Sequence, residues 1–231
     1  IAKHGNRSVS SRCGSAGVLE ALGARLDVDP VAARALLDET GFCFLFAPAY
    51  HPGMKHAALV RRQLSVRTVM NLLGPCINPA RPPVQLLGVA DSRMLRRIAQ
   101  TLDAMGVEEA LVVHGSGLDE VALHGETRVM RLSNHFVTEE VITPEDAGIE
   151  RAPLQVVTGG DVAENAARFR ALMDGRGTQA ERDMVILNTA ALLVTASKAK
   201  DLIDRGGQSR EALSSERAGA VLDAYVTASN G

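Results

Sequence analysis

Residues 3–11 gather side chains and backbone groups that suit an anion. The segment KHGNRSVSS combines two cations, a histidine, an asparagine and several hydroxyls, and Gly14-Ser15-Ala16 follows it. Such a loop offers charged and neutral donors together with unobstructed backbone N–H groups, which are the groups that bind phosphate. An apolar run over residues 18–23 predicts a short helix closed by a glycine, whose N-terminus would favour an anion further. A basic surface loop before a helix is the alternative that these residues leave open.

The second candidate for chemistry is the adjacent carboxylate pair Asp119-Glu120. It follows the apolar, β-rich residues 110–113 and a glycine-containing turn. Loops at strand ends are where α/β proteins place their sites, and carboxylates supply the oxygen ligands that Mg²⁺ shares with phosphates. For such a pair taken alone, a solvated loop is the alternative.

Apolar periodicity and turn residues outline the elements that must position these groups. Strands are predicted at residues 42–46, 84–89 and 110–113, and an antiparallel pair at 128–132 and 136–142. Helices are predicted at 30–41, 91–105, 164–173, 181–197 and 214–226, the last from a cap at Ser214 or Ser215. Ile1-Ala2 is typical of the end of a buried strand that delivers Lys3. The alternation predicts an α/β fold with one largely parallel sheet and helices on both faces.

Composition narrows the function classes. The chain has 231 residues, 46% of them hydrophobic, which is enough for one large domain or a domain with a smaller one. A net charge of -2 and an aromatic content of 3% argue against nucleic-acid binding, which needs a basic surface and stacking platforms. Three cysteines without a CxxC pattern indicate free thiols in a reducing cytoplasm, with no zinc site or disulfide framework. No apolar run has the length of a membrane span or the pattern of a signal peptide.

Several motifs occur in one order along nearly the whole chain. They are KHGNRSVSS with GSA and VLEALG at residues 3–23, FLFAPAYHP at 44–52, VRR, RT, NLLGP and NPA between 60 and 80, HG and GLDE between 114 and 120, PED at 144–146, and GG with ENA between 159 and 166. Together they resemble the anthranilate phosphoribosyltransferase family. Several blocks in the same order are far more specific than any one block alone.

The resemblance implies a nucleoside phosphorylase/phosphoribosyltransferase-like α/β fold, with a central mixed, mostly parallel sheet flanked by helices and a small helical domain. It implies that residues 1–231 form the C-terminal α/β catalytic domain and that residues 53–76 pack in the helical domain. The family's N-terminal helices and glycine-rich pyrophosphate loop have no counterpart in this sequence, so we expect that an N-terminal part is missing. A cytoplasmic homodimer is implied as well.

The reaction that the resemblance implies joins anthranilate to 5-phosphoribosyl 1-pyrophosphate (PRPP) with Mg²⁺ as cofactor. Its products are N-(5-phosphoribosyl)anthranilate and pyrophosphate, in the second step of tryptophan biosynthesis from chorismate. The ribosyl carbon gains oxocarbenium character and the aromatic amine is already a nucleophile. Catalysis therefore needs positioning and charge stabilisation rather than a dedicated catalytic residue.

Site residues are carried over from the resemblance position by position. The contacts implied for PRPP are Lys3, His4, Gly5, Asn6, Arg7, Ser8, Val9, Ser10, Ser11 and Ser15. The contacts implied for anthranilate are Asn6, His4, Arg61, Ala47, Pro48 and Met54. Among these, Arg61 is placed on the carboxylate, which a guanidinium recognises with two parallel hydrogen bonds. The ligands implied for Mg²⁺ are Asp119 and Glu120.

Structural alternatives stay open for individual residues. Helix capping is the alternative for three hydroxyls, those of Ser10, Ser11 and Ser15. Arg7 is also suited to pair with a surface carboxylate, Arg61 to lie on a solvated helix face, and Met54 to pack in a core.

One further segment is typical of a phosphate loop before a helix, namely Thr158-Gly159-Gly160-Asp161. Its place in the family pattern predicts instead a structural turn and an N-cap. Some positions depart from that pattern without affecting a carried-over ligand: Gly17, Ser65, Met70, Cys76 and Ala147.

Two other functions remain alternatives to the transferase. A pyrimidine-nucleoside phosphorylase-like enzyme would share the fold and also break a ribosyl bond, but the HGN motif and Arg61 argue against it. A non-catalytic homologue that binds nucleic acid would need a basic surface. The net charge of -2 and the retained GLDE and HGN motifs disfavour it.

Overall fold

A computed structural model describes residues 1–7, 13–53, 69–197 and 202–231 of the chain. In chain order the elements are β1 Ala2–Gly5, α1 Ser15–Ala21, α2 Pro30–Thr40, β2 Cys43–Phe46, α3 Ala47–Tyr50, α4 Val69–Cys76, β3 Val84–Gly88, α5 Leu95–Ala104, β4 Glu109–Gly115, β5 Thr127–Ser133, β6 Phe136–Ile142, α6 Val162–Met173, α7 Gln179–Ser197, α8 Leu202–Ser214 and α9 Arg217–Ser229. Short 3-10 helices span Ser92–Met94, Pro144–Ala147 and Leu154–Val156.

These elements form two compact units. The first unit contains Ile1–Arg81, Gly159–Asp174 and Glu216–Gly231, and the second contains Pro82–Thr158 and Gly175–Ser215. The first unit is therefore discontinuous in sequence, because α6 and α9 come from late in the chain and belong with the elements around β1.

A two-stranded parallel sheet of β1 and β2 organises the first unit. Every residue of β2 is buried, and α2 packs on this strand. On α9, the Tyr225 ring stands edge-on to Phe42 with the ring centroids 4.9 Å apart. The Asn78 side-chain amide donates to the Ala2 carbonyl oxygen at 3.0 Å, so the loop after α4 secures β1.

The predicted buried strand at Ile1-Ala2 is wrong in its extent and its burial. β1 runs on through Lys3 to Gly5, and Ile1 is 66% exposed. Within the described residues β1 pairs only with β2, and a strand at the edge of a sheet tolerates an exposed lysine in its middle.

Capping residues set the helix boundaries where the sequence predicted them. The Asp29 carboxylate accepts from the backbone N–H groups of Val31 and Ala32 at 2.8 and 2.9 Å, at the start of α2. The helix ends at Gly41, whose φ of 74° lies in the left-handed region. Asp91 likewise accepts a backbone N–H two residues ahead of it, at the 3-10 turn that leads into α5.

The second unit is built on a four-stranded mixed sheet in the order β3-β4-β5-β6. β3 and β4 are parallel, and the other two pairings are antiparallel, which confirms the predicted late pair. Leu111, Val112 and Val113 of β4 are all buried, so both faces of this strand are covered. The helices that pack on it are α5 and α7.

The described strands form two separate sheets, where the sequence predicted one largely parallel sheet. Among the strands that the structure describes, the parallel pairs are β1–β2 and β3–β4. The α/β class with mixed sheets and flanking helices is confirmed. Which strands pair was not predictable, because periodicity identifies a strand from its own residues but contains no information about its neighbour.

The predicted serine cap of the last helix is wrong. Ser214 and Ser215 lie at the end of α8, where their hydroxyls donate to the carbonyl oxygens of Glu211 and Ala212. The last helix, α9, begins at Arg217, without a side-chain cap. Helix α8 was not predicted, because its adjacent glycines Gly206 and Gly207 lower helix propensity.

The cysteines are present as thiols, as the composition predicted. Among the described residues, Cys13, Cys43 and Cys76 form no disulfide, and burial raises the pKa of the Cys43 and Cys76 thiols. Among the helices of the described residues, none combines the length and apolar character that crossing a membrane requires.

Candidate functional site

The carboxyl ends of β1 and β2 meet at one edge of the two-stranded sheet. Gly5 lies opposite Phe46 in the register, so Asn6-Arg7 and Ala47-Pro48 leave the strands at the same edge. Parallel strands place ligand-binding loops at this edge. The structure therefore brings together two segments that lie about forty residues apart in the sequence, the KHGNR segment and the FAPAYHP segment.

Gly5 allows the two strands to approach. A Cβ atom at this position would lie 2.7 Å from Cζ of Phe44, closer than real Cβ contacts come. Phe44 is itself buried in β2. The glycine of the HGN motif is thus explained by packing against the neighbouring strand.

His4 and His51 form a pair across this edge. Their Nε2 atoms are 3.2 Å apart, and the rings meet edge to face with centroids 5.1 Å apart. Burial lowers the pKa of His4, and the neighbouring His51 lowers it further, against a hydrogen bond to the Gly74 backbone that raises it. His4 is therefore a neutral hydrogen-bonding group at physiological pH. His51 was not predicted as a site residue, although it lies in the FLFAPAYHP motif.

Arg7 pairs with a carboxylate, which was the structural alternative for this residue. Its Nε–H donates to Oε2 of Glu20 at 3.1 Å, and its Nη2 pairs with Oε1 of the same carboxylate. The guanidinium carbon lies 4.6 Å from the centre of the Phe46 ring. The Glu20 bond raises the pKa of Arg7, so the cation is permanent. Neither Glu20 nor Phe46 was a predicted site residue.

Lys3, Asn6, Ala47 and Pro48 lie in or directly after the two strands that meet at this edge. Lys3 is exposed on β1, and the Asn6 side-chain oxygen accepts the Arg7 backbone N–H at 2.8 Å. Ala47 and Pro48 open the short helix α3 and are half-buried. The capping alternative for Ser15 is wrong, because the N-cap position of α1 belongs to the glycine before it.

Some predicted contacts lie outside the described residues. They are Ser8, Val9, Ser10, Ser11, Met54 and Arg61.

The predicted metal ligands Asp119 and Glu120 lie in the second unit, where β3 and β4 end. Two glycines allow the approach of their backbone. A Cβ on Gly88 would lie 1.6 Å from the Asp119 carbonyl oxygen, and one on Gly115 would lie 2.3 Å from that of Glu120. Both acidic residues are exposed. The close backbone approach thus holds two carboxylates in solvent at the carboxyl edge of a parallel strand pair.

This carboxylate pair fits Mg²⁺ better than a metal that needs a protein cage. Over the described residues, no group of three or more His, Cys, Asp or Glu side chains could hold a metal ion. Mg²⁺ commonly uses one or two carboxylates and completes its shell with water and substrate phosphates. Two exposed carboxylates on a constrained turn are such a donor set.

The segment at residues 158–161 has the structural role that was predicted for it. The Asp161 carboxylate accepts the Glu164 N–H at 2.9 Å and caps α6. The Asn165 side chain bonds both the N–H and the carbonyl of Gly160, at 2.9 and 3.2 Å. These groups are occupied within the turn, so the turn does not present a phosphate loop.

Comparison with known proteins shows the family to which the chain belongs. The model of the glycosyl transferase family, a/b domain, matches residues 1–219. Anthranilate phosphoribosyltransferase from Sorangium cellulosum is 53% identical over 229 residues, which are 99% of this chain and 66% of the relative. The chain belongs to the anthranilate phosphoribosyltransferase family. The family predicted from the ordered motifs is thereby confirmed.

Solved structures of the family have the same fold. The anthranilate phosphoribosyltransferase from Thermus thermophilus matches with a TM-score of 0.93 at 42% identity, over 100% of this chain and 68% of its own. The enzyme from Saccharomyces cerevisiae, in complex with PRPP and Mg, matches with a TM-score of 0.89 at 25% identity, over 100% of this chain and 65% of its own. The chain thus spans about two thirds of the length of the family members it matches.

Proposed function

We propose that this chain is the α/β part of an anthranilate phosphoribosyltransferase that transfers the phosphoribosyl group of PRPP to the amine of anthranilate. The observation that supports it most is the edge of the β1–β2 sheet, where a segment suited to phosphate meets a segment with apolar walls. Both segments belong to motifs of the family. The products are N-(5-phosphoribosyl)anthranilate and pyrophosphate.

In this proposal the PRPP contacts come from the KHGNR segment, the adjoining residues 8–11 and Ser15. Lys3 and Arg7 supply positive charge. Ser15 opens α1, and the hydroxyls among residues 8–11 complete the set. Charged and hydroxyl donors of this kind neutralise phosphates and lower the cost of expelling pyrophosphate.

Anthranilate would lie against the FAPAYHP side of the edge. Ala47, Pro48 and Met54 would be its apolar contacts, and the Asn6 amide and neutral His4 would offer hydrogen bonds. Arg61 would bind the carboxylate with two parallel hydrogen bonds. The aromatic amine is then held against the ribosyl carbon, and the carbon–oxygen bond to pyrophosphate breaks as the carbon–nitrogen bond forms. Positioning accounts for most of the expected rate gain.

Asp119 and Glu120 would hold Mg²⁺ in this proposal. When bound, the ion neutralises charge on the pyrophosphate group. Its support is the exposed carboxylate pair on the glycine-constrained turn, and the yeast relative that is solved in complex with PRPP and Mg. The proposal further includes a cytoplasmic homodimer in which residues 53–76 pack with a helical domain.

The test is an anthranilate fluorescence assay on the full-length gene product, with Arg61→Ala and the neighbouring Arg62→Ala as a matched pair. We expect fluorescence to fall only when PRPP and Mg²⁺ are both present. Loss of the bidentate contact in Arg61→Ala should raise the KM for anthranilate at least about tenfold, and Arg62→Ala should change it less than about twofold.

A folded protein that consumes no anthranilate would overturn the proposal. Release of ribose 1-phosphate from a pyrimidine nucleoside would then indicate the phosphorylase-like alternative. Tight DNA binding that weakens steeply with salt would indicate the nucleic-acid-binding alternative.

A further inference from the structure

The Arg7 guanidinium is oriented from two directions at the edge of the β1–β2 sheet. Glu20 accepts from its Nε–H at 3.1 Å and from Nη2, so the carboxylate takes the two parallel donors on one side of the fork. Phe46 covers one face at 4.6 Å from the ring centre. The side chain of Arg7 is 58% exposed, so without these contacts it would sample many rotamers.

Glu20 has a fixed position from which to act. It lies in the last turn of α1, whose residues Ala16 and Leu19 are buried and which packs on α6. A negative charge in the last turn is disfavoured by the helix dipole. The Glu20 carboxylate is 34% exposed and forms an ion pair with Arg7. The favourable electrostatic interaction of its charge is therefore with Arg7 and not with the helix dipole.

The pairing leaves Arg7 able to bind an anion. A guanidinium has five N–H donors, and Glu20 accepts from two of its nitrogens. No other acceptor in the described part of the chain takes the remaining donors. We propose that Glu20 is a positioning residue, which holds the Arg7 fork so that its remaining donors meet the phosphates of PRPP. This inference rests on the proposed function.

The expected effect is on binding more than on folding. An exposed ion pair contributes little to the stability of the protein. A side chain ordered before the ligand arrives, however, loses less freedom on binding. Removing the Glu20 charge should therefore weaken PRPP binding, although it also removes a negative charge near the anion. A simple counter-ion would give the opposite result, because its removal would strengthen binding.

The test compares Glu20→Gln with Glu39→Gln in the full-length gene product. Both residues precede the last residue of their helix in the same unit, and Glu39 is exposed. We expect Glu20→Gln to raise the KM for PRPP about fivefold with kcat within about twofold, and Glu39→Gln to leave both unchanged. In an Arg7→Ala background, Glu20→Gln should have no further effect on this KM.

Arg7→Lys is a second variant that keeps the charge but cannot form the fork. It should raise the KM for PRPP as Glu20→Gln does. A KM for Glu20→Gln equal to or below that of the wild type, or a rise that persists in the Arg7→Ala background, would overturn the positioning role.

Failure of the proposed function has a different signature. The wild type would then consume no anthranilate, and the same variants would be titrated with inorganic pyrophosphate by calorimetry. Weaker pyrophosphate binding in Glu20→Gln, but not in Glu39→Gln, would still support the positioning role. Equal binding in the two variants would overturn it.

Discussion

The described part of the protein has two parallel strand pairs, β1–β2 and β3–β4, and the residues at their carboxyl edges are positioned in different ways. At the β1–β2 edge, side chains hold one another, as in the His4–His51 contact and the Arg7–Glu20 pair. At the β3–β4 edge, the backbone is held, since two glycines admit the Asp119-Glu120 turn and both carboxylates stay in solvent. The first edge orders donors before a ligand arrives. The second presents two exposed carboxylates on a turn whose backbone is fixed by close approach to glycines.

This difference predicts that substitutions at the second edge act through the backbone and those at the first edge through side-chain packing. The largest effect is expected for Gly88→Ala. The new Cβ would lie 1.6 Å from the Asp119 carbonyl oxygen, which cannot move without shifting the turn. We expect the free energy of unfolding to fall by about 3 kcal/mol or more, measured by urea denaturation.

Gly207→Ala is the control for this substitution. Gly207 lies in helix α8 of the same unit, and an added Cβ would meet nothing within 4 Å. Alanine should stabilise this helix by about 0.5–1 kcal/mol. If Gly88→Ala were as well tolerated as Gly207→Ala, the backbone account of the second edge would be wrong.

The next largest effect concerns the carboxylates themselves. Under the proposed function, Asp119→Asn should lower kcat/KM about 100-fold, or about 2.7 kcal/mol, and raise the Mg²⁺ concentration needed for half-maximal activity. Because Asp119 is exposed, the stability of the protein should change by less than about 0.5 kcal/mol. Glu108→Gln, at an exposed position of the same unit, is the control, and equal activity in the two variants would contradict the metal assignment.

At the first edge, Gly5→Ala should have a smaller effect on stability than Gly88→Ala. Its Cβ would lie 2.7 Å from the far end of the Phe44 ring, and a side chain can yield where a backbone carbonyl cannot. We expect a loss of about 1–3 kcal/mol in urea denaturation. The double variant with Phe44→Leu should recover part of it relative to Phe44→Leu alone, and strictly additive losses would rule out the contact as the cause.

The smallest effect is expected for the contribution of His4 to the pH dependence of the free energy of unfolding. Burial lowers its pKa in the folded state below the ordinary value of 6.5, so just below that pH the unfolded chain binds more protons. Stability from this residue is therefore lost as the pH falls below about 6.5 and is regained as it rises. Unfolding measured at about pH 7.5 and about pH 5.5 should show a shallower pH dependence in His4→Gln than in the wild type. Equal slopes would mean that His4 titrates as a free histidine.

Local chemistry made much of the fold predictable. Asp29 and Gly41 bound α2 because a carboxylate cap and a left-handed glycine are decided by adjacent residues. The antiparallel hairpin of β5 and β6 was predictable for the same reason, since its strands are joined by a two-residue turn. The role of Ser214 and Ser215 was not predictable, because a hydroxyl suits either end of a helix and only the neighbouring turns decide which end it occupies.

The sequence by itself determined the family, the α/β class, most strand and helix positions, and the structural role of the Thr158–Asp161 turn. These follow from motif order and from interactions between residues close in the chain. Tertiary structure alone decided that β1 pairs with β2, that Arg7 meets Glu20 and Phe46, that His4 meets His51, and that Gly88 and Gly115 accommodate the carboxylate turn. Each of these is a contact between distant residues, and its geometry depends on the packing of strands and helices around it, which no local pattern contains.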